Sequence, residues 1–233
     1  MKTSGDDLVP FGDGLWLSTE PVSFLGLALT ATMSVARLAG GALLVHSPVP
    51  LTDSRRKQTD ALGTVCHIYV PNLFHHRSLD AWSSAYPGAR VHAPPGLARK
   101  HPGARVDRTV GETPEPAFAG AVDEIPIDGF RARESLLLHR ASGTAIVADL
   151  VQNVGRPDHG WTAFYARAMG FHDRVALSRA IRWTGFDDRR AARRALDRVL
   201  ALDFDRLVVG HGAPLPSGGK AALAAAYAWL RPA

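Results

Sequence analysis

The sequence of 233 residues contains one cysteine, Cys66, and only four lysines among its 27 basic residues. A single cysteine excludes an internal disulfide framework and fits a reducing compartment. Near the start, Lys2 is followed by Asp6 and Asp7 and not by the apolar segment of a secretory signal. These two observations favour a cytoplasmic protein.

Long apolar runs are also missing. The fairly apolar stretch 22–38 is interrupted by polar residues, among them Ser23, Thr30 and Arg37. It is shorter than the roughly 20 apolar residues that a membrane-spanning helix needs. The sequence therefore predicts no membrane segment, and this stretch is expected to belong to the core.

Three motifs that would point to other chemistry are absent. The chain has no G-x-S-x-G elbow for serine catalysis, no P-loop and no Rossmann glycine fingerprint. Nothing in the sequence therefore indicates a serine hydrolase of that type or a nucleotide-binding loop.

The net charge of +5 comes mostly from arginine, and the isoelectric point is about 9.8. Affinity for phosphate would explain the arginines, but so would the compositional bias that supplies so many alanines and glycines. The arginines are scattered, and those at 189, 190, 193 and 194 fall on the solvent face of a predicted helix. No recognition motif accompanies them, so a nucleic-acid partner is the weakest hypothesis for this chain.

The length and the 46% hydrophobic content suit one large domain, residues 1–233. Helical and strand-like patterns alternate in both halves, with β-rich runs between them, which predicts stacked sheets flanked by helices. The patterns predict helices at 53–62, 78–86 and 217–230, and strands at 65–70, 90–93, 135–139, 144–148 and 206–209.

Metal-capable side chains follow three of the strand-like runs. They are His75 and His76 in segment 71–76, Asp149 directly after a strand, and His211 between Gly210 and Gly212. Side chains at strand ends meet at the mouth of a sheet, where ligands are usually presented. Three imidazoles and one carboxylate are plausible ligands for one zinc-like ion.

The order of these segments resembles the metallo-β-lactamase-like hydrolases. An uncharacterised branch of that superfamily, known only as a domain of unknown function, is more similar still. That closer resemblance is carried by residues 45–48, 70–72, 86–89, 148–150 and 202–206. It implies an α+β protein with a four-layer αββα sandwich and a metal site at one edge.

The resemblance also implies a set of ligands. When the superfamily's HxHxDH loop is laid with its closing pair on His75 and His76, its two leading histidines fall on Pro71 and Leu73. The intermediate histidine falls near residues 129–131 and is missing as well. The second metal position keeps His76, Asp149 and His211, with His75 in place of the usual aspartate. This implies one divalent ion, zinc foremost and otherwise iron or manganese, with Asp149 orienting a water or acting as base.

Structural alternatives stand beside this reading. Asp149 could hold a loop, and His211 could cap a turn. Adjacent histidines on an extended strand point in opposite directions. His75 and His76 can therefore share one ion only if they lie at a turn or at the start of a helix.

Four residues are candidates for substrate binding. Arg131 and Glu134 lie where the missing turn is expected, and would hold a substrate carboxylate or fill the vacated metal position with a salt bridge. His159 and Trp161 belong to an aromatic segment that would form a lid or pocket wall, or else part of the core.

The sequence thus favours a metal-dependent hydrolase with one ion, acting on an ester, thioester or lactone of a small molecule. The alternatives are a non-catalytic relative with structural histidines and, more weakly, a phosphodiesterase or nucleic-acid-binding protein.

Overall fold

The computed structural model describes residues 7–230, so Lys2 and Asp6, mentioned above, lie outside it. Within that range the chain forms eleven strands and seven α-helices. The strands are β1 (Val9–Gly12), β2 (Leu15–Phe24), β3 (Leu27–Arg37), β4 (Ala42–His46), β5 (Thr64–Tyr69), β6 (Arg90–Ala93), β7 (Arg108–Thr109), β8 (Val122–Pro126), β9 (Ser135–His139), β10 (Thr144–Ile146) and β11 (Arg206–Val208). The helices are α1 (Asp53–Leu62), α2 (Leu79–Ala85), α3 (Leu97–Lys100), α4 (Gly160–Met169), α5 (Arg179–Thr184), α6 (Arg189–Ala201) and α7 (Gly219–Ala226).

The strands form two sheets. Strands β1 to β7 make one sheet in sequence order, antiparallel from β1 to β4 and parallel from β4 to β7. The second sheet has the order β11-β10-β9-β8, and only its β10–β11 pair is parallel. Helices α1 and α2 make the crossovers that the parallel pairs β4–β5 and β5–β6 require.

Three apolar clusters fill the spaces between four layers. Met33, Val45 and Ile68 of the first sheet pack with Trp82 of α2. Between the sheets, a second cluster contains Leu15, Leu17, Ala36, Leu44, Leu137, Ile146 and Val208. The third cluster joins the second sheet to helices α6 and α7 through Leu196, Val199, Leu223 and Tyr227. The predicted αββα sandwich is confirmed.

Local capping explains why two of the helices begin where they do. The Thr52 side chain accepts from the N–H of Arg55 at the start of α1, and the Asp188 carboxylate accepts from the N–H groups of Arg190 and Ala191 at the start of α6. Helix α1 has the bounds predicted from the sequence.

The apolar stretch 22–38 is a β-hairpin made by β2 and β3, whose tip carries Phe24 and Leu25 on the surface. Most of its core residues lie in the second half, where residues 33, 35, 36 and 38 are buried, and in the first half Leu27 is buried as well. Among residues 7–230, no helix is both long enough and apolar enough to cross a membrane.

The two sheets are joined at one edge by backbone hydrogen bonds. The N–H of Thr32 in β3 donates to the carbonyl of Gly210, which follows β11, and the N–H of Ser135 donates to the carbonyl of Pro71 after β5. The loops that follow β5, β10 and β11 are thereby held at this edge.

Candidate metal centre

Three loops bring two imidazoles and one carboxylate together at this edge. The Nε2 atom of His75 lies 3.4 Å from Asp149 Oδ2, and the Nε2 atom of His211 lies 3.3 Å from Asp149 Oδ1. One ligand atom from each residue lies within 4.8 Å of the other two. The two histidines therefore approach the same carboxylate, each through a different oxygen.

His75 lies in a turn that leads into helix α2. The turn is formed by Asn72, whose Oδ1 accepts from the N–H groups of Phe74 and His75 at 2.8 and 3.0 Å. On the far side of the His75 ring, Nδ1 lies 2.9 Å from the hydroxyl oxygen of Ser47. His75 and His76 thus lie at a turn, which is the condition under which both could share one ion.

The His211 ring is oriented by strand β3. Its Nδ1 donates to the carbonyl of Thr30 at 2.7 Å, and this bond directs Nε2 towards Asp149. The flanking glycine permits the close approach of the loops: Gly212 has a φ of +100°, and a Cβ there would lie 2.0 Å from the carbonyl oxygen of Asn153.

The loop that carries Asp149 rests on a buried carboxylate. Glu134 is 1% exposed and accepts from the backbone N–H groups of Ala148, Asp149 and Leu150 at 2.8, 2.8 and 3.3 Å. Bonds to three consecutive N–H groups fix the backbone of this loop, and with it the direction of the Asp149 side chain.

The charges of the cluster shift the pKa values of its members. Burial raises the pKa of Asp149, but the charge of His75 and the hydrogen bond from His211 outweigh it and hold that pKa well below its usual value. Burial lowers the pKa of His211, yet the hydrogen bond to Asp149 raises it overall. Burial, followed by the charge of Asp149, raises the pKa of Glu134 to about 7. The two imidazoles thus favour the charged form of the Asp149 carboxylate, the form in which a carboxylate binds a cation.

The donor set fits a divalent transition metal. Zinc takes imidazole nitrogen and carboxylate oxygen, and a set of three protein ligands leaves a fourth position for water or substrate. The Nδ1 atoms of His75 and His211 contact Ser47 and Thr30, as expected of ligands that are oriented by outer partners.

No protein-family model matches the chain, and no curated protein matches its sequence. Solved structures do match. A metallo-β-lactamase from Pontibacter korlensis superposes with a TM-score of 0.64 at 11% identity, covering 96% of this chain and 98% of that chain. The chain has the metallo-β-lactamase fold.

Two further solved structures match the chain over nearly its whole length. The FIM-1 metallo-β-lactamase from Pseudomonas aeruginosa, in its mono-zinc form, gives a TM-score of 0.64 at 11% identity, with 99% of this chain and 96% of that chain covered. A metal-soaked flavodiiron core protein from Synechocystis gives 0.64 at 12% identity, with 97% and 61% covered. At such identities the metallo-β-lactamase fold is shown, and the reaction is not.

The structure corrects the predicted ligand set at His76. Its ring packs against that of His101, with centroids 5.3 Å apart, whereas the rings of His75 and His211 are 5.1 Å apart. The two neighbouring side chains diverge from the turn, so only His75 joins the cluster.

Glu134 is also corrected. Because it is buried and accepts only from internal N–H groups in the described structure, it supports the Asp149 loop instead of contacting substrate. Arg131 is exposed, and its N–H donates to the carbonyl of Gly185. His159 caps helix α4 through the N–H of Thr162, and Trp161 Nε1 donates to the carbonyl of Leu25 at the hairpin tip.

A second group of metal-capable side chains lies between the sheets: His67, His92 and Glu115. His92 Nε2 lies 2.9 Å from His67 Nδ1, and Arg108 donates to His92 Nδ1 at 3.3 Å. Arg90 pairs with Glu115 at 2.9 Å. The histidine nitrogens are engaged with each other and with Arg108, and two guanidinium groups repel a further cation, so this group is a structural network.

Three residues that orient the ligands carried no signal recognised in the sequence: Asn72, Ser47 and Thr30. Asn72 is the one that a pattern could have revealed, because an asparagine whose side chain accepts from the N–H groups two and three residues further on is typical of a turn. Ser47 and Thr30 are brought to the centre only by packing.

Proposed function

We propose that this chain is a metal-dependent hydrolase that binds one divalent ion, zinc foremost and otherwise iron or manganese, through His75, Asp149 and His211. One observation carries the proposal: these three side chains converge from three separate loops, and other residues hold the Nδ1 atoms of both histidines and the backbone N–H of His75. A surface cluster without a function has no need of such support.

In this proposal the two histidines hold the ion and Asp149 acts on the water. When bound, the ion supplies Lewis acidity and lowers the pKa of a water towards about 7. His75 and His211 hold their Nε2 atoms towards the centre, because their Nδ1 atoms are engaged elsewhere. Asp149, as the catalytic residue, orients the attacking water or takes its proton.

The substrate we propose is a small ester, thioester or lactone. A centre with one ion lacks the two-metal clamp that stabilises both oxygens of a phosphodiester displacement. Strand β3, whose Thr30 holds His211, also contacts helix α4 through Ala28 and Thr162. The hairpin tip and α4 expose Leu25, Trp161 and Phe164, and the last two stack with centroids 5.7 Å apart. This apolar wall suits the hydrocarbon part of a substrate, and the exposed Arg131 suits a carboxylate.

We also propose, from the sequence, that residues 1–233 form a single domain and that the protein works in the cytoplasm. His159 likewise stays a proposed substrate contact, placed beside Trp161 at the start of α4.

The test is metal content measured together with activity. Protein purified without chelator, and again after zinc or iron reconstitution, would be analysed by mass spectrometry for metal and assayed on an ester, thioester, lactone and phosphodiester panel. We expect one equivalent of metal and activity on the first three classes. Less than a tenth of an equivalent after reconstitution would refute the proposal and leave the non-catalytic alternative.

The chain offers a matched pair of variants. His75→Ala and His76→Ala remove the same group from neighbouring positions of one turn, but only His75 belongs to the cluster. We expect His75→Ala to lose the metal and the activity, and His76→Ala to keep both. Equal losses in the two variants would contradict the assignment of the ligands.

A further inference from the structure

The side chain of Asn72 lies between the buried carboxylate of Glu134 and the half-buried carboxylate of Asp149. It is 0% exposed, and its Nδ2 atom lies 2.8 Å from Glu134 Oε2 and 2.8 Å from Asp149 Oδ2. One amide nitrogen thus donates to two acid groups that come from different loops. Glu134 and Asp149 are held at a distance that a single small group can bridge.

This arrangement is electrostatically unusual. Two carboxylates in a low-dielectric site repel each other strongly, and such pairs normally enclose a proton or a cation. Oδ1 of Asp149 faces the imidazole of His211, and its Oδ2 faces both the imidazole of His75 and the amide of Asn72. On the side facing Glu134, the amide of Asn72 donates to both acids and carries only partial charges.

The same side chain also connects the two halves of the centre. Through Oδ1, Asn72 holds the N–H groups of Phe74 and His75, and through Nδ2 it holds the Asp149 carboxylate. A single residue therefore sets both the turn that presents one ligand and the orientation of another.

We propose that Asn72 is a positioning residue whose Nδ2 donor, shared by Glu134 and Asp149, takes the place of the positive charge that a second cation would supply there, and that it thereby restricts this centre to one ion. The inference rests on the proposed function, since it takes Asp149 as a ligand. It explains why a site with a second buried acid nearby is built for one ion.

The decisive variant is Asn72→Asp. It keeps the shape of the side chain and the oxygen that accepts from Phe74 and His75, but it replaces the shared donor with a third carboxylate oxygen. We expect metal content, measured by equilibrium dialysis against zinc or cobalt(II), to rise from one ion per chain to two. The visible spectrum of the cobalt(II) form would gain the bands of a second site.

Asn153→Asp is the matched control. Asn153 also lies beside the centre, where its N–H donates to the carbonyl of His211. Its Nδ2 donates to the carbonyl of Ala213 at 2.8 Å, and no acid of residues 7–230 is bonded to it. The same chemical change there is expected to leave the metal content at one ion per chain.

Asn72→Ala covers the case in which Asn72→Asp does not fold without metal. It removes the amide and opens the space between the acids, so zinc should raise its melting temperature more than that of the parent. If Asn72→Asp and Asn72→Ala, folded or refolded with zinc, bind no more metal than the parent, or recover no fold with zinc, the inference is wrong.

Different results would contradict the proposed function and the inference on Asn72. A parent protein without metal contradicts the proposed function, and the inference is then judged by whether Asn72→Asp gains an ion that the parent lacks. A parent with one ion and variants with one ion contradicts the inference alone.

Discussion

Replacing His46 with phenylalanine tests the electrostatics of the space between the sheets. His46 ends strand β4, is 1% exposed, and stacks on Tyr69 with ring centroids 5.7 Å apart. Within residues 7–230, neither of its ring nitrogens has a hydrogen-bond partner. Burial, followed by the charge of His75, lowers the pKa of His46 to about 3.

The sign of the effect follows from proton linkage. The unfolded chain holds this histidine at its ordinary pKa of about 6.5, so below that pH the unfolded state binds more protons than the folded state. The contribution of neutral His46 to the free energy of unfolding is therefore fully present above about pH 6.5 and decreases as the pH falls towards 3. At pH 5 the loss is about 2 kcal/mol, and at pH 8 it is close to zero.

The assay is urea unfolding of parent and His46→Phe protein at pH 8 and pH 5, followed by tryptophan fluorescence in the presence of chelator. The packing cost of the larger ring is the same at both pH values, so it cancels in the comparison. We expect the variant to gain about 2 kcal/mol relative to the parent between pH 8 and pH 5. His172→Phe controls for the loss of a half-buried histidine. An unchanged difference between parent and His46→Phe at the two pH values would refute the reasoning.

Two further predictions concern backbone space and buried charge. In Gly212→Ala, the new Cβ would lie 2.0 Å from the Asn153 carbonyl oxygen at a φ of +100°. We therefore expect His211 to be displaced and the metal content to fall, while the circular dichroism spectrum stays unchanged. An unchanged metal content would contradict this prediction. Arg108 is 5% exposed and pairs with Glu124 at 3.0 Å, so Arg108→Met should lower the free energy of unfolding by about 3–5 kcal/mol because Glu124 loses its partner; denaturant titration would disprove this if the loss stayed below about 1 kcal/mol.

The sequence alone was sufficient for most of the framework. Helix α1 and strands β6 and β9 have the predicted bounds. These features depend on neighbours along the chain. The Thr52 side chain caps α1 by accepting from the N–H of Arg55, three residues further on, and apolar periodicity fixes which face of a strand is buried. The positions of His75, Asp149 and His211 at strand ends were visible for the same reason.

Tertiary structure alone decided which of these side chains meet. The local Asn72 turn presents His75, but the partners that His75 meets come from distant loops, and the role of Glu134 depends on N–H groups 14 to 16 residues away. Asn72 and Asp149 are 77 residues apart, and His211 and Thr30 are 181 apart. Local pattern places a residue on an element, but contacts over such separations exist only when two sheets pack and their loops are held at a common edge.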